Sequence, residues 1–262
     1  MKRLLLMPVF SPVLLVLLLS TTQAVHAQTY NARLEWLHKV ELRMLDNGIL
    51  QKVNVKLGQH VKKGTILTSI DQREFKARVQ KAQAGLDRAK LDLQNSNDEL
   101  ERAKELYERG LIADQELKDA KRKHASILAE IESLKASLLL EKIALERTVL
   151  RAPVSGIIVE KNAWEGGVVY KTLQKDPLIS IAPNGSMLAR ALVNVVTLQK
   201  YKPGQAAKVN IRGKIYPGKV YSLGVEAVRI DPSGAVYELD IIFNHPANET
   251  LRPSQTVKVI LP

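Results

Sequence analysis

Cysteine is absent from this chain of 262 residues, and aromatic residues make up only 5% of it. The lack of cysteine excludes a disulfide framework and any cysteine-based metal site. Beyond the first few residues methionine occurs only at Met44 and Met187, which does not support a methionine-rich copper or silver site. The five histidines show no metal-ligand spacing, and they are His26, His38, His60, His124 and His245. No nucleophile elbow or phosphate loop is present, so we expect no catalytic site and no cofactor.

Long apolar runs are missing as well, with one exception at the N-terminus. A basic start, Met1 to Arg3, precedes an apolar run from Leu4 to Leu19 and a small-residue pattern that ends at Ala27. This three-part order is typical of a cleaved export signal, which we assign to residues 1–27 with cleavage after Ala27. The alternative is that the run is retained as a membrane anchor, although it is short for a span and contains two prolines. We expect a mature protein that is exported and soluble.

The charge balance is basic but does not indicate nucleic acid. The formal net charge is +12, and it becomes +10 once Lys2 and Arg3 leave with the signal. A nucleic-acid surface usually combines clustered Lys and Arg with aromatic residues, and no such cluster is present. An exported protein also rarely meets nucleic acid, so no nucleic-acid partner is expected.

Residues 72–147 have the pattern of two long antiparallel helices. In each helix apolar residues recur at two positions of a seven-residue repeat, with charged residues between them, which is typical of a coiled coil. The rows of the first helix are Phe75, Ala82, Ala89, Ser96 and Ala103, and Val79, Leu86, Leu93, Leu100 and Tyr107. Those of the second are Ala113, Ala120, Ile127 and Leu134, and Leu117, His124, Ile131, Leu138 and Leu145. A first helix over 73–109 would extend about 55 Å.

Two similar stretches flank this hairpin. Residues 48–71 and 148–183 contain short apolar strands separated by glycines, and the spacing Gly48 to Gly58 equals the spacing Gly156 to Gly166. Neither half could bury its apolar face alone, so we expect the two halves to pair into one small β-sandwich. Residues 28–47 form a separate N-terminal strand segment in this division.

The last part of the chain, 184–262, has an all-strand pattern. Turn signals such as Lys202-Pro203-Gly204 and Asp231-Pro232-Ser233-Gly234 separate short apolar runs at roughly ten-residue spacing, which predicts a small β-barrel. One of these runs, 218–230, is expected to form a single strand. The fold class is therefore mixed α and β with several domains.

Three groups of residues, in this order, resemble a known family. They are Val53-x-Val55-x-x-Gly58-x-x-Val61-Lys62-Lys63-Gly64 with Asp71, then Leu150-Arg151-Ala152-Pro153-Val154-x-Gly156, then Lys202-Pro203-Gly204-Gln205 with Leu251-Arg252-Pro253. The ordered set resembles the periplasmic adaptors of efflux and secretion systems, the membrane fusion proteins of HlyD type. The resemblance covers Gly48 to Pro262 and implies a coiled-coil hairpin inserted into a biotinyl- or lipoyl-like sandwich, followed by a β-barrel.

The resemblance implies a function without catalysis. Such adaptors assemble into a ring around an inner-membrane transporter of RND or ABC type, and their hairpin tips meet an outer-membrane channel. An alternative is a periplasmic scaffold or regulatory subunit that binds a transporter but no channel. A third reading, a carrier subunit of an enzyme, is weakened because the helices 72–147 replace the turn where a carrier has its acceptor lysine. The family often has a further domain after the barrel, which is expected here to be reduced or absent.

The hairpin turn is the candidate partner-binding site. The family often has an Arg, a Leu four residues later and a Ser seven residues after that, and here these positions are Arg102, Leu106 and Ala113. A Ser at 113 would form a capping box with Glu116, whereas Ala cannot cap, so we predict that Asp114 caps the second helix. Gly110 is predicted to end the first helix in a left-handed conformation. The partner-binding candidates are Arg102, Leu106, Gly110, Leu111, Ile112, Ala113 and Asp114, and the apolar pair Leu111-Ile112 is expected to be exposed.

Overall fold

A computed structural model describes residues 28–232, 234–246, 249 and 251–262. The predicted export signal, 1–27, and its cleavage after Ala27 lie outside the described residues. Within the part of the chain that is described, no helix has both the length and the apolar character required to cross a membrane.

The described residues form fifteen strands and three helices. The strands before the hairpin are β1 (Gln28–Trp36), β2 (Val40–Leu42), β3 (Gly48–Val53), β4 (His60–Val61) and β5 (Ile66–Ile70). The long helices α1 (Arg73–Glu108) and α2 (Asp114–Arg147) come next, followed by β6 (Val149–Arg151), β7 (Gly156–Lys161), β8 (Val168–Val169) and β9 (Ile179–Pro183). The last elements are β10 (Ser186–Asn194), α3 (Val195–Leu198), β11 (Ala206–Ile211), β12 (Lys214–Leu223), β13 (Arg229–Asp231), β14 (Gly234–Asn244) and β15 (Thr256–Leu261).

Six antiparallel strands close into a barrel in the order β10, β1, β15, β11, β12 and β14, and β14 pairs back with β10. Alternate residues of each strand point inward, so that Leu34, Val209, Leu239 and Ile241 are fully enclosed in one core. Strand β1 was assigned from the sequence to a segment apart from 184–262, yet it fills the gap between β10 and β15. Closure by β1 removes the free sheet edges that five strands alone would leave.

The predicted single strand over 218–230 is divided in the structure. Strand β12 ends at Leu223, and β13 begins only at Arg229 and pairs with β14 outside the closed ring. At the break Gly224 approaches the strand opposite so closely that a Cβ there would lie 2.9 Å from the backbone nitrogen of Glu238. The apolar pattern continues through the break, but the side chains of Val225 and Ile230 are exposed rather than buried.

The two halves that flank the hairpin share one core, as the repeat predicts. One sheet has the order β2, β9, β7, β4 and the other has the order β6, β5, β3, β8, so that each sheet mixes strands from before and after the helices. Leu50, Leu67, Ile158 and Ile181 belong to the same buried cluster. We call this unit the sandwich. The equivalent turns of the two halves both use a left-handed glycine, with φ of 78° at Gly58 and 80° at Gly166.

Helices α1 and α2 pack against each other along the predicted rows. Leu86, Ala89, Ile131 and Leu138 form the buried centre of this contact. Ser96, the polar exception in the first row, is also buried, and its hydroxyl has no hydrogen-bond partner among the described residues. The 36 residues of α1 extend about 54 Å at about 1.5 Å per residue.

A charged cluster stabilises the barrel wall. Arg190 donates to both carboxylate oxygens of Asp240, at 2.8 Å and 3.0 Å, and Ser222 also donates to Asp240 at 3.0 Å. The guanidinium contacts the carboxylates of Glu35 and Glu238 at 3.0 Å and 3.1 Å. The hydrogen bonds with Asp240 are the main cause of a raised Arg190 pKa. Adjacent β1, β10 and β14 are thus tied together through one arginine.

We expect Asp240→Ala to destabilise the barrel by about 1.5–3 kcal/mol, because the substitution removes a buried acceptor of charged hydrogen bonds. Glu35→Ala is the matched control, since its carboxylate is more exposed and its loss should cost less than about 1 kcal/mol. Denaturant unfolding monitored by circular dichroism measures both. Equal decreases in the free energy of unfolding of the two variants would contradict the prediction that Asp240 contributes more than Glu35.

Two glycine substitutions should have opposite effects. A Cβ on Gly156 would lie 2.2 Å from the carbonyl oxygen of Ala182, so Gly156→Ala forces β7 and β9 apart and should cost more than about 2 kcal/mol. Gly85 lies inside α1, where a Cβ would meet only Leu134 at 3.9 Å. Gly85→Ala should therefore stabilise the protein by about 0.5–1 kcal/mol. If the melting temperatures of Gly156→Ala and Gly85→Ala change in the same direction, this prediction is wrong.

Candidate hairpin-tip docking site

The root of the hairpin is fixed to the sandwich on both sides. The Gln72 side chain donates to the Thr148 hydroxyl at 2.7 Å, and that hydroxyl donates to the carbonyl of Leu145 at 2.5 Å. Thr148 is completely buried, and its own carbonyl accepts the backbone N–H of Ile70 at 3.0 Å. Asp71 accepts hydrogen bonds from the side chain and backbone of Arg73, and these bonds lower the Asp71 pKa. The direction in which both helices leave the sandwich is therefore set at one place.

At the far end, α1 ends in a Schellman motif. The N–H of Gly110 donates to the carbonyl of Tyr107, and the N–H of Leu111 donates to the carbonyl of Leu106, both at 2.9 Å. Gly110 has a φ of 69°, which confirms the predicted left-handed end of the first helix. The helix itself ends at Glu108, with Arg109 as its C-cap.

The predicted cap of the second helix is wrong by one residue. Asp114 is the first residue inside α2, and Ala113 occupies the N-cap position in an extended conformation with φ of −76° and ψ of 153°. No side chain caps this end, and the N–H of Glu116 donates to the backbone carbonyl of Ala113 at 3.0 Å. Aspartate is a residue type that can cap a helix, but Asp114 lies one residue past the N-cap position, so its carboxylate does not cap α2.

Asp114 and Glu116 still favour the start of α2, because negative charge near a helix N-terminus interacts well with the helix dipole. Asp114 also lies 2.6 Å from the Lys118 ammonium, and this hydrogen bond raises the Lys118 pKa. Farther from the turn, Lys123 reaches across to Glu99 of α1 at 2.5 Å. Both pairs are exposed to solvent, which screens them, so they contribute little to stability.

The turn presents apolar surface to solvent, though not with both predicted residues. Leu111 is 66% exposed, whereas Ile112 is half-buried, which corrects the expectation that the pair is exposed together. Leu106 is also exposed, at 39%. Tyr107 is exposed as well, although its place in the seven-residue repeat predicted burial. Leu117, a predicted seam residue near the start of α2, is buried.

Arg102 lies on the exposed flank of α1, about 12 Å along the helix from Gly110. Its Nε donates to the carbonyl of Asp98 at 3.2 Å, within its own helix. The tip therefore groups Leu106, Gly110, Leu111, Ala113 and Asp114 around one turn, with Arg102 two turns away. A docking surface of this kind can offer an exposed leucine, a rigid backbone turn and the unsatisfied N–H groups of a helix start.

We expect Ala113→Ser to stabilise the start of α2 by about 1 kcal/mol, because a serine hydroxyl in this cap position can accept the N–H of Gln115 or Glu116. Slower hydrogen exchange at those two amides is the measurement. Ala113→Gly is the control, since it changes the backbone without supplying an acceptor. Equal protection in the two variants would contradict the cap geometry described for Ala113.

Comparison with known proteins agrees with this architecture. A family model described as "RND MFP, barrel-sandwich hybrid domain" matches residues 38–182, which is more than half of the chain. The macrolide export protein MacA from Yersinia pestis is 29% identical over 204 residues, covering 72% of this chain and 54% of that protein. The chain thus spans about half the length of this curated relative.

Solved structures share the fold. The crystal structure of MacA from Actinobacillus actinomycetemcomitans superposes with a TM-score of 0.74 at 21% identity, over 89% of this chain and 78% of the other. A MacA-MexA chimera that contains the α-hairpin domain of MexA from Pseudomonas aeruginosa gives a TM-score of 0.64 at 24% identity, over 89% and 80%. At these identities the likeness concerns the fold. The family match over 38–182 shows that the chain belongs to the membrane fusion protein family, the periplasmic adaptors.

Proposed function

We propose that this protein is the adaptor subunit of a tripartite efflux or secretion system. It links an inner-membrane transporter to an outer-membrane channel, assembles into a ring and catalyses no reaction itself. The protein acts in the periplasm, at the inner-membrane complex, after its signal is cleaved behind Ala27. The working division is a strand segment at 28–47, lipoyl-like halves at 48–71 and 148–183, a coiled-coil hairpin at 72–147 and a barrel at 184–262, with β1 added to the barrel.

The observation that carries the proposal is the exposed leucine at the end of the hairpin. Leu111 follows a rigid Schellman turn, about 54 Å of helix away from a root that is fixed at Thr148. Leu111 is 66% exposed, so most of its apolar surface is not buried within the chain. Burial in a partner would contribute about 1.5–3 kcal/mol. We assign this contact to the channel, with Leu106, Gly110, Ile112, Ala113 and Asp114 around it and Arg102 at its edge.

Ring formation is supported by a second apolar surface, on the sandwich. Ile49 of β3 and Val168 of β8 pair across the two strands, and both are more than half exposed. Trp164, Tyr170 and Leu173 are exposed in the neighbouring turns. A surface of this kind at a sheet edge is suited to contact with another copy of the chain. This contact is separate from the tip, so the two can be tested independently.

The transporter is of RND or ABC type. The description of the matching family model contains RND, and the curated relative is named a macrolide export protein. A macrolide-like compound is therefore the first substrate class to test in a strain that lacks this protein.

The decisive test replaces Leu111 with a photo-crosslinkable residue in the native host. We expect crosslinks from this position to an outer-membrane protein. Leu139 is the matched control, because it is a leucine of similar exposure, 58%, that lies on α2 much nearer the root. Crosslinks from 111 only to inner-membrane proteins would support a periplasmic scaffold instead, and no crosslinks at all would also contradict the proposal.

A charge at the tip should disrupt the same contact. We expect Leu111→Asp to weaken docking by about tenfold to a hundredfold, because one buried leucine is lost and a carboxylate is desolvated. In cells this appears as increased sensitivity to the exported compound, close to that of the deletion strain. Leu139→Asp introduces the same change on the exposed side of α2 and should leave export unchanged. Equal sensitivity of the two variants would argue against docking through the tip.

A further inference from the structure

Half of the net positive charge of residues 28–262 belongs to the barrel region, 184–262. The hairpin, 72–147, contains sixteen basic and fifteen acidic residues, whereas 184–262 contains ten basic and five acidic residues. From Pro177 to Val225 there is no acidic residue at all. The helices therefore have almost no net charge, whereas the acid-free stretch that includes β10, β11 and β12 contains seven basic residues.

Two of the basic residues in this acid-free stretch are neutralised by partners elsewhere. Arg190 pairs with Asp240, Glu35 and Glu238, and Lys214 lies 2.7 Å from Glu249. Lys200, Lys202, Lys208 and Lys219, together with Lys258 of β15, have no ion pair within the described part of the chain. All of them are exposed. We call these five lysines the basic wall.

Strand register places the basic wall on one outer face. Val209 and Val259 point into the core, so Lys208 and Lys258, one residue before each, point outward. Lys208 lies opposite Ile260, Lys258 lies opposite Asn210, and Lys219 lies opposite Ala206. The turn that carries Lys200 and Lys202 leads directly into β11. The three strands β15, β11 and β12 contain no acidic residue, so nothing on this face opposes the lysines.

Exposed apolar side chains accompany these charges. Tyr221 projects from the same side of β12 as Lys219, and Val196 of α3 is exposed just before Lys200. Lysine with tyrosine and aliphatic residues is the combination found where proteins meet the headgroup region of a membrane. Arg212, in the turn between β11 and β12, is exposed as well, but the basic wall itself consists of lysines. Lysine acts as a point charge, without the planar fork that recognises one carboxylate or phosphate in a defined geometry. A diffuse anionic surface fits this chemistry better than a shaped protein site.

The path of the chain leads to the same face. Thr29 of β1 pairs with Ile260, and Ile260 pairs with Lys208, so Lys208 is two strands, about 10 Å, from the start of β1. Lys208 and Lys258 therefore lie on the side of the barrel that includes the N-terminal end of β1.

We propose that the basic wall binds the anionic phospholipid surface of the inner membrane. The barrel then rests on the bilayer through many weak, long-range contacts, and the sandwich and hairpin are held above it. This inference goes beyond docking to a transporter or a channel, and it depends only on export. A failure of the crosslinks at Leu111 would leave it intact, and its own failure would leave the docking proposal intact.

Vesicle sedimentation with the chain from Gln28 to Pro262 tests the proposal, since all three buried cores lie within those residues. We expect binding to vesicles of about seven parts phosphatidylcholine to three parts phosphatidylglycerol, and much weaker binding to pure phosphatidylcholine. Raising the salt from about 0.05 M to about 0.5 M should weaken binding, because the lysines are exposed and screened. Equal binding to both kinds of vesicle, or no binding to either, would overturn the proposal.

Matched variants locate the surface. The double variant Lys202→Glu/Lys208→Glu should lower the affinity for anionic vesicles at least about tenfold. Each substitution removes a lysine that attracts the anionic lipid and introduces a carboxylate that the lipid repels. Lys62→Glu/Lys63→Glu makes the same change in net charge on the sandwich and should have little effect. Circular dichroism verifies that all variants are folded. If the control pair loses as much affinity as the first pair, binding follows net charge alone and the basic wall is not the site.

Discussion

Both long helices leave the sandwich at a single point, where Thr148 is buried. The direction of the hairpin depends on the hydrogen bonds of this residue. Its hydroxyl joins the side chain of Gln72 to the carbonyl of Leu145, and its own carbonyl accepts the N–H of Ile70. One buried residue thus connects the last strand before α1 with the end of α2. Because the helices are about 54 Å long, a small change of angle at this point moves the tip by several ångströms. The position of the tip is therefore determined by packing in the sandwich.

Stability along the hairpin decreases from the root towards the tip. The buried cluster between the helices includes Leu86, Ala89, Ile131 and Leu138, and it contains no residue of the last two turns of α1. Ser96 interrupts the seam with a buried hydroxyl that lacks a partner in the described part of the chain. Near the turn, order depends on the Schellman hydrogen bonds and on the burial of Leu117 in α2, and the ion pair of Lys123 with Glu99 lies farther towards the root. Segments with few buried contacts open most easily, so the tip should open more readily than the root.

Local patterns in the sequence predicted much of this fold, and contacts between distant segments account for the differences. The repeat of apolar residues identified both helices, and Gly110 marked the turn because only glycine adopts that backbone conformation without strain. The place of β1 in the barrel depends on pairing with β10 and β15, which lie far away in sequence. The exposure of Tyr107 and the N-cap position of Ala113 depend on the local geometry of the hairpin turn. Composition and periodicity do not indicate that geometry.

The two ends of the molecule differ in chemistry. The hairpin has nearly balanced charge and exposes Leu111 at its turn, so the docking that we propose for the tip relies on short-range apolar contact rather than long-range attraction. The barrel has a surplus of lysine on one face and acidic residues on the other side, around Arg190. A long-range field orients a protein before contact, whereas an apolar tip acts only on contact. An adaptor with this arrangement would orient at the membrane first and search for its distal partner afterwards.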